Sequence, residues 1–345
     1  TFLFGLIWRI LMNKNELKKV ANFMVSPRKG ILAADESTGT IKKRFDSIKL
    51  DSTEENRRDW RQLLFQTRSI SDYISGVILF DETLRQNTSD GQSIVELLNE
   101  NEIVPGIKVD KSTHQLAGFP GEVITEGLDG LRDRLQEYYD IGARFTKWRA
   151  VINISDILPS KYAINVNSYL LAMYASLSQE IGLVPIVEPE VLMDGDHTID
   201  KCSEVTDITL SKVFQHLNEA DVYLPGIILK PNMILSGKDS KNRAKPESVA
   251  NYTIDVLNKN VPSEVPGIAF LSGGQEDQES IDNLNSINLL AKIKKSPWQL
   301  TYSYGRGLQS APLRIWNGKK ENIAMAQKEF EKRGISASKA SQGIY

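Results

Sequence analysis

The stretch GIILKPNM, residues 226–233, carries the pattern on which the fold prediction depends. Three branched apolar residues, 227–229, run without a polar interruption and then meet Lys230 and Pro231. Such short, continuous apolar runs are typical of parallel strands that are covered on both faces. A lysine at the end of a strand patterned for burial needs an explanation, because a buried charge costs free energy unless it is paired.

The same pattern, a short apolar run that closes on a charged or small polar residue, occurs seven more times along the chain. These segments are GILAADES (30–37), GVILFDE (76–82), PGIKVDK (105–111), ARFTKWRAVI (143–152), VPIVEPE (184–190), GIAFLSGG (267–274) and LTYSYGRG (300–307). Their β-branched and aromatic content, with little period-two alternation, predicts eight buried parallel strands.

Segments with helical periodicity lie between the predicted strands. Ser52 and Glu55 form a capping-box pattern that predicts the start of one helix. In residues 128–142, apolar side chains recur at three- and four-residue steps and the pattern stops at Gly142. Strands and helices alternate without a linker or a break in composition, which predicts an α/β fold, a single-domain (β/α)8 or TIM barrel. A doubly wound open sheet is the alternative, but no GxGxxG follows the first strand.

Composition excludes several classes of function. The 345 residues include 42 basic and 44 acidic side chains, a net charge of −2, so neither nucleic acid nor a membrane surface is expected as a partner. Cys202 is the single cysteine, which predicts a reducing, cytoplasmic location without an internal disulfide. The three histidines form no HxH or HxxxH pair, so neither a metal nor another cofactor is predicted. His197, in the sequence DGDH, is expected to order a loop.

The amino-terminal segment TFLFGLIWRIL, residues 1–11, is too short to cross a bilayer and lacks the features of a signal peptide. Met12 follows it as a plausible start. We therefore expect residues 1–11 to be an extension outside the fold, either an upstream-translated segment or, with less support, the remnant of a targeting segment. Residues 12–345 are expected to form the single barrel domain with a short C-terminal tail.

The ends of the predicted strands carry an unusual number of functional groups. In a (β/α)8 barrel, the carboxyl ends of the strands form the active site. A single charged residue at the end of a strand could simply be exposed to solvent. Charged residues at nearly every strand end, however, predict a shared site. The groups are Asp35, Asp81, Glu82, Lys108, Asp110, Lys147, Arg149, Glu188, Glu190, Lys230, Ser272, Gly273, Gly274, Ser303, Gly305 and Arg306.

Lys230 is the sharpest candidate for a catalytic role. In a dry site near other cations such as Lys147 and Lys108, the charged form of a lysine is disfavoured, which leaves a neutral amine able to form a Schiff base with a carbonyl. The alternative is a structural ion pair with Glu188 or Glu190, and the pattern alone does not decide between the two. Together with Asp35, these carboxylates are the candidates for moving protons in such a reaction.

Two groups of residues could bind anions. The glycine-rich segments SGG and SYGRG follow strands seven and eight, where barrels often hold phosphate, and Arg306 stands between Gly305 and Gly307. A guanidinium can grip phosphate with two hydrogen bonds. A second anion could be held across the mouth by Ser37, Thr40, Arg44 and Lys108.

Taken together, these motifs resemble the class I fructose-bisphosphate aldolases. The matching segments are ILAADESTGTIKKR, STEENRR, GIKVDK, KWRAVI, VPIVEPE, DGDH, ILKPNM, FLSGGQ, SYGRGLQ and GKKEN, in the family's order from about residue 16 to 345. The resemblance implies a metal-independent, homo-oligomeric lyase of glycolysis and gluconeogenesis, with a tetramer as the family's expected assembly. Such enzymes reversibly cleave fructose 1,6-bisphosphate to dihydroxyacetone phosphate and glyceraldehyde 3-phosphate.

The resemblance also implies roles for individual residues. Lys230 would form the Schiff base, and Glu188, with Glu190 beside it, would supply acid and base for its formation. Asp35 would take the proton of the C4 hydroxyl, assisted by Lys147. Ser272, Gly273, Gly305, Arg306 and Arg44 would hold the C1 phosphate, while Ser37, Thr40, Lys108 and Arg149 would hold the C6 phosphate; Ser303 completes the substrate-binding set.

The C terminus departs from the family pattern. Animal members carry a longer tail whose last tyrosine reaches the site, so Tyr345, in the closing QGIY, is not assigned that role. Preference for the bisphosphate or for fructose 1-phosphate stays open. Two other functions are possible alternatives. A transaldolase or other imine-forming barrel would not need phosphate-binding groups at both ends of the substrate. An aldolase-like binding scaffold would lose Lys230 or its acid partners.

Overall fold

The computed structural model describes the backbone of residues 2–345 and the side chains from Asn13 onward. Helix α1 (Phe2–Met24) includes the amino-terminal segment. The side chains of residues 1–11, and Thr1 altogether, lie outside this description, so the interpretation of that segment as an extension stays a prediction.

Eight parallel strands close into a barrel, which confirms the fold predicted from the sequence. Chain neighbours are also neighbours in the barrel, and the first and last strands pair through Ile31 and Ser303. A two-stranded antiparallel hairpin, β4 with β5, is inserted after the third barrel strand. The strands are β1 (Gly30–Ala34), β2 (Ile74–Leu79), β3 (Val104–Lys108), β4 (Thr113–Gln115), β5 (Val123–Thr125), β6 (Phe145–Ile152), β7 (Val184–Val191), β8 (Ile228–Leu229), β9 (Gly267–Phe270) and β10 (Gln299–Tyr304).

Helices surround the barrel and connect its strands. None of the helices within the described residues is both long and apolar enough to cross a membrane. After α1 they are α2 (Thr38–Asp46), α3 (Glu54–Phe65), α4 (Asp81–Arg85), α5 (Ile94–Glu100), α6 (Leu131–Ile141), α7 (Lys161–Ile181), α8 (Ile199–Glu219), α9 (Pro246–Asn260), α10 (Asp277–Lys294), α11 (Arg306–Trp316) and α12 (Ile323–Ala340).

Helix ends follow local sequence signals except where a tertiary contact intervenes. Helix α6 stops at Gly142, as predicted, with a φ of 124° that favours glycine. Helix α3 is capped by Thr53, whose hydroxyl accepts from the N–H of Asn56, so the predicted cap at Ser52 was wrong by one residue. The carbonyl of Ser52 accepts a hydrogen bond from the guanidinium of Arg57. That guanidinium is held in place by its ion pair with Glu82, which is distant in sequence.

The alternation of side chains along each strand separates an inner core from an outer one. Ile31, Ile186 and Ile228 point into the barrel and pack on α1, while their neighbours along each strand, including Leu32 and Leu229, contact the outer helices. Trp148 and Met233 are fully buried in the outer core. The inner apolar layer fills the amino end of the barrel, so polar inward residues collect at the carboxyl end.

Phe145 fills the barrel interior against two glycines. In the strand pairing it lies directly beside Gly106, and a Cβ on Gly106 would stand 2.2 Å from its ring. At Gly76 the corresponding distance is 3.1 Å. The absence of side chains at these glycines is what makes room for the phenyl ring.

Gly106→Ala is therefore expected to lower the free energy of unfolding by about 1–3 kcal/mol, since the methyl group overpacks the barrel interior. Adding Phe145→Leu should recover part of the loss. Gly39→Ala, at a helical position with open space around it, serves as the control and should be neutral or slightly stabilising. Urea unfolding gives the free energy of unfolding of the wild type, the two single alanine variants and the double variant. Equal stability of Gly106→Ala and Gly39→Ala would contradict this packing.

Candidate active site

A cavity of about 320 Å³ opens at the carboxyl ends of the barrel strands. Of the strand-end groups, Gly274 does not line it, and neither do Asp81 and Glu82, which pair with Arg85 and Arg57. Every residue to which the sequence analysis gave a catalytic or anion-binding role does line it. These are Asp35, Ser37, Thr40, Arg44, Lys108, Lys147, Arg149, Glu188, Glu190, Lys230, Ser272, Gly273, Ser303, Gly305 and Arg306. The structure thus brings both groups of predicted residues, catalytic and anion-binding, around one space.

Lys230 lies where β8 leaves the barrel. Its backbone N–H donates to the carbonyl of Val187 at 2.8 Å. Pro231 has no N–H and therefore ends the series of backbone donors along this strand. Lys230 follows Ile228 by two residues, so its side chain points into the barrel like that of Ile228. The ammonium group is 5% exposed and its Nζ lies 3.4 Å from Oε1 of Glu188.

Glu188 links the two buried lysines. It stands two residues beyond the inward Ile186 on β7, and only 5% of its side chain is exposed. Its Oε1 faces Lys230, while its Oε2 lies 3.3 Å from Nζ of Lys147. The ion pair that the sequence offered as the alternative role of Lys230 is therefore present, and it places a carboxylate within reach of the amine.

Lys147 is surrounded by carboxylates. Its Nζ donates to Oδ2 of Asp35 at 3.1 Å and lies 3.8 Å from Oδ2 of Asp110. Burial by itself would lower the pKa of Lys147, but Asp35, Glu188 and Asp110 outweigh it and raise that pKa above the usual range. Lys147, which the sequence analysis expected as a cation near Lys230, therefore has its charge balanced by three carboxylates.

Asp35 is held in its ionised form by the same cluster. Burial favours the neutral acid, but the charges of Lys147, Lys230 and Lys108 outweigh burial and hold the pKa of Asp35 well below its usual range. Asp35 and Lys147 therefore form a buried pair of opposite charges at neutral pH. A carboxylate kept ionised in this way is available to accept a proton from a bound substrate.

Arg149 is the partner of Glu190. Its Nε donates to the Glu190 carboxylate, and its backbone N–H lies 3.3 Å from Oδ2 of Asp110. Burial lowers the pKa of Arg149, but Glu190 and Glu188 overcome that effect and raise the pKa above the usual range. Glu190 therefore pairs with Arg149 and is not the carboxylate that contacts Lys230.

Two loops, which we call the phosphate loops, form one wall of the cavity: residues 272–275 after β9 and residues 305–307 after β10. They touch, since a Cβ on Gly307 would stand 3.3 Å from Oγ of Ser272. Gly274 combines a φ of 73° with close contact to Met193, so only glycine fits there. Helix α11 begins at Arg306, and the N–H groups of a helix start are suited to an anion.

A second wall of the cavity is formed by α2 and the end of β3. Thr40 and Arg44 are four residues apart on α2 and share one face, and the hydroxyl groups of Thr40 and Ser37 lie 3.1 Å apart. Nζ of Lys108 lies 5.0 Å from the centre of the Phe80 ring. The second predicted set of anion-binding groups therefore lines the same cavity, with Lys108 at the end of a strand on the far side of the barrel from β9 and Arg44 close to Gly305.

Some cavity residues were not in the predicted site. Glu36 is buried and pairs with Arg44, and Gln309 donates to its Oε1 at 3.0 Å. No periodic signal marks Glu36, whereas Asp110, which follows Lys108 by two residues and points the same way, is among the strand-end groups named from the sequence and also lines the cavity. Ser112 and Thr113 reach the cavity through the unpredicted hairpin.

No set of metal-ligand side chains was found in the part of the chain that the structure describes. His197 has no hydrogen-bond partner for either ring nitrogen there; its backbone carbonyl accepts from the N–H of Gly237 at 2.8 Å. The loop is therefore held by backbone contacts of His197 and not by its imidazole.

Residues 16–345 match the family model described as fructose-bisphosphate aldolase class-I. The chain belongs to this family. It is 51% identical over 343 residues to "Fructose-bisphosphate aldolase 4, cytosolic" of Arabidopsis thaliana, covering 99% of this chain and 87% of the relative. It is also 51% identical over 333 residues to the "Probable fructose-bisphosphate aldolase class 1" of Xanthomonas campestris pv. campestris, covering 96% and 99%.

A solved aldolase has the same fold. The fructose-bisphosphate aldolase of Plasmodium falciparum, crystallised with TRAP and a small molecule inhibitor, superimposes with a TM-score of 0.94 at 47% identity, over 96% of each chain. Class I aldolases are metal-independent lyases, so membership of the family confirms the type of enzyme predicted from the motifs. The cavity contains an amine, carboxylates and two walls with candidate anion-binding groups. These are the groups that imine chemistry on a sugar phosphate requires.

The lowered pKa of Asp35 predicts a specific pH dependence of stability. A carboxyl group whose pKa is lower in the folded state contributes stability above its unfolded pKa of about 3.9, and this contribution is lost as the pH falls below that value. The difference in unfolding free energy between the wild type and Asp35→Asn should be flat from about pH 5 to 8 and shrink below about pH 4. Urea unfolding across this range tests it, and a step between pH 5 and 8 would contradict the assignment.

Proposed function

We propose that this chain reversibly cleaves fructose 1,6-bisphosphate to dihydroxyacetone phosphate and glyceraldehyde 3-phosphate through a Schiff base on Lys230, as an enzyme of glycolysis and gluconeogenesis. The observation that carries the proposal is the position of Lys230, buried at the carboxyl end of β8 with its Nζ 3.4 Å from Glu188. Membership of the aldolase family supports the reaction, and the two anion-binding walls support a substrate with phosphate at both ends.

In the first step, Glu188 takes a proton from the Lys230 ammonium and frees the amine. The amine attacks the C2 carbonyl of the substrate to give a carbinolamine. Glu188 then protonates the departing hydroxyl, which leaves as water, and a protonated imine remains. The contacts of Glu188 to both lysines support this shuttle, because the carboxylate stays beside the reacting nitrogen throughout.

In the second step, Asp35 removes the proton of the C4 hydroxyl. The C3–C4 bond breaks, its electron pair moves into the imine to form an enamine, and glyceraldehyde 3-phosphate leaves. Lys147 supports Asp35 by keeping it ionised and fixed at 3.1 Å. Protonation at C3, for which the proton taken up by Asp35 is available, and addition of water to the protonated imine then release dihydroxyacetone phosphate and return Lys230 as an ammonium beside the Glu188 carboxylate. No metal is required, since the protonated imine accepts the electrons.

The phosphate groups determine how the substrate lies in the cavity. We assign the C1 phosphate to the phosphate loops with Arg44, and the C6 phosphate to Ser37, Thr40, Lys108 and Arg149. Ser303, whose buried Oγ has no partner among the described residues, would meet the substrate between them. Arg149 would divide its hydrogen bonds between Glu190 and the C6 phosphate. Anion-binding groups at both ends argue against a transaldolase, and the presence of Lys230, Glu188 and Asp35 argues against a non-catalytic scaffold.

The reaction is tested by trapping the imine. Borohydride reduction in the presence of dihydroxyacetone phosphate should give a covalent adduct on the peptide that contains Lys230. Lys230→Met should give no adduct and lose cleavage at least about a thousandfold, because the neighbouring amine of Lys147 is held as a cation by Asp35, Asp110 and Glu188.

Lys108→Met is the matched control for this experiment. It removes a lysine from the same cavity but on the side assigned to the C6 phosphate, which dihydroxyacetone phosphate lacks. The adduct should therefore persist in this variant. An adduct on a residue other than Lys230 in the wild type would overturn the mechanism.

We also propose that residues 12–345 act as one domain, that the protein is a cytoplasmic homo-oligomer, and that residues 1–11 add an extension. The names of the plant relatives, which include cytosolic forms, support the location. Half-exposed apolar side chains on α7 and α8, among them Tyr169 and Ile208, support association with further copies.

Light scattering at the working concentration should give four times the chain mass of 38.7 kDa, because the family's members associate as tetramers. A mass equal to one chain would contradict this expectation. The same measurement tests the amino-terminal extension. Removal of residues 1–11 should leave the number of chains in each particle unchanged.

A further inference from the structure

Arg243 and Arg333 contact the phosphate loops from the side that faces away from the cavity. Neither residue lines the cavity, and both side chains are largely covered by protein, 29% and 16% exposed. Their contacts lie on both loops and on the first turn of α10, which follows directly after the first loop.

Arg333, on α12, ties the start of α11 to the start of α10. Its Nε donates to the carbonyl of Gly307, the residue after Arg306, and its Nη2 lies 3.3 Å from Oδ2 of Asp277. Asp277 is the first residue of α10 and follows the loop of Ser272. One guanidinium therefore joins the second phosphate loop to the helix that follows the first.

Arg243, between β8 and α9, supports the first loop from another direction. Its Nη1 donates to the carbonyl of Ser236 at 2.7 Å, and its Nη2 donates to the carbonyl of Gly274 at 3.2 Å. The same group pairs with Glu279 in the first turn of α10. The loop is thereby attached to the segment that follows Lys230 in sequence.

We propose that Arg333 and Arg243 are positioning residues for the C1 phosphate, which set the spacing between Ser272 and the start of α11. This rests on the proposed assignment of that phosphate to the phosphate loops. Loop displacements of about 1 Å can cost about a hundredfold in rate or binding. The two loops touch at Ser272 and Gly307 but hold one another by few hydrogen bonds of their own.

The contacts also explain why these residues are arginines. A guanidinium presents five N–H groups in a planar fork and can reach a carbonyl and a carboxylate at once, which a lysine cannot do in the same geometry. Asp277 and Glu279 balance the two positive charges. The arginines therefore act through geometry and not by adding charge to the phosphate site.

The test compares Arg333→Gln, Arg333→Lys and Arg243→Gln with the wild type on fructose 1,6-bisphosphate and fructose 1-phosphate. Each glutamine variant should raise KM about tenfold and change kcat less than about threefold, since positioning of the phosphate is lost and the imine chemistry is not. Both substrates carry the C1 phosphate, so KM should rise by the same factor for each. Arg333→Lys should recover little, because the fork is absent.

Asp277→Asn separates positioning from charge. Removal of a negative charge near the site would by itself lower KM for an anionic substrate, whereas loss of the anchor of Arg333 should raise it. Arg144→Gln is the matched control: this half-buried arginine donates to the carbonyls of Tyr139 and Ala143, at 3.0 and 2.7 Å, at the opposite end of the barrel. Its KM should stay unchanged.

Arg306→Gln distinguishes the inference from the assignment on which it rests. If Arg306→Gln leaves KM unchanged, the phosphate is held elsewhere and the assignment itself is wrong. If Arg306→Gln raises KM but Arg333→Gln and Asp277→Asn do not, only the positioning role is overturned. A rise in KM for fructose 1,6-bisphosphate alone, or an equal rise in the KM of Arg144→Gln, would also overturn the positioning role.

Discussion

The site depends on a buried row of alternating charges that runs from Lys230 through Glu188 and Lys147 to Asp35. Each charge would be costly alone, and each is stabilised by the next, so the row is stable only as a unit. Four different strand ends contribute to it, which means that barrel closure and charge balance require one another. This constraint explains why the polar layer lies directly above an apolar one: the inward residues below the row are Ile186, Ile228 and their neighbours.

Much of this arrangement could be predicted from the sequence because two simple rules determine it. Apolar runs of the right length identify the eight strands, and the period of two along β7 puts Ile186, Glu188 and Glu190 on one inward face. The partners of these groups could not be predicted in the same way. Whether Lys230 pairs with Glu188 or Glu190 depends on the register between β7 and β8, and that register is set by packing of the whole barrel.

Other features had weaker signals or none. Helix α11 starts inside a glycine-rich segment that resembles a loop, and α3 begins one residue later than its capping pattern suggests, because Arg57 draws the preceding carbonyl into a tertiary contact. Glu36 is recognisable only in three dimensions, where α2, α3 and α11 converge on it. Residues whose role depends on several distant elements are those that a one-dimensional pattern cannot identify.

The apolar layer at the amino end of the barrel has a consequence for the path of water during turnover. Phe145 and the inward side chains of α1, including Leu17 and Met24, close that end within the described residues. Water that hydrolyses the imine must then come through the same opening as the sugar. In the proposed mechanism, the aldehyde product therefore leaves by the same opening through which the hydrolytic water arrives.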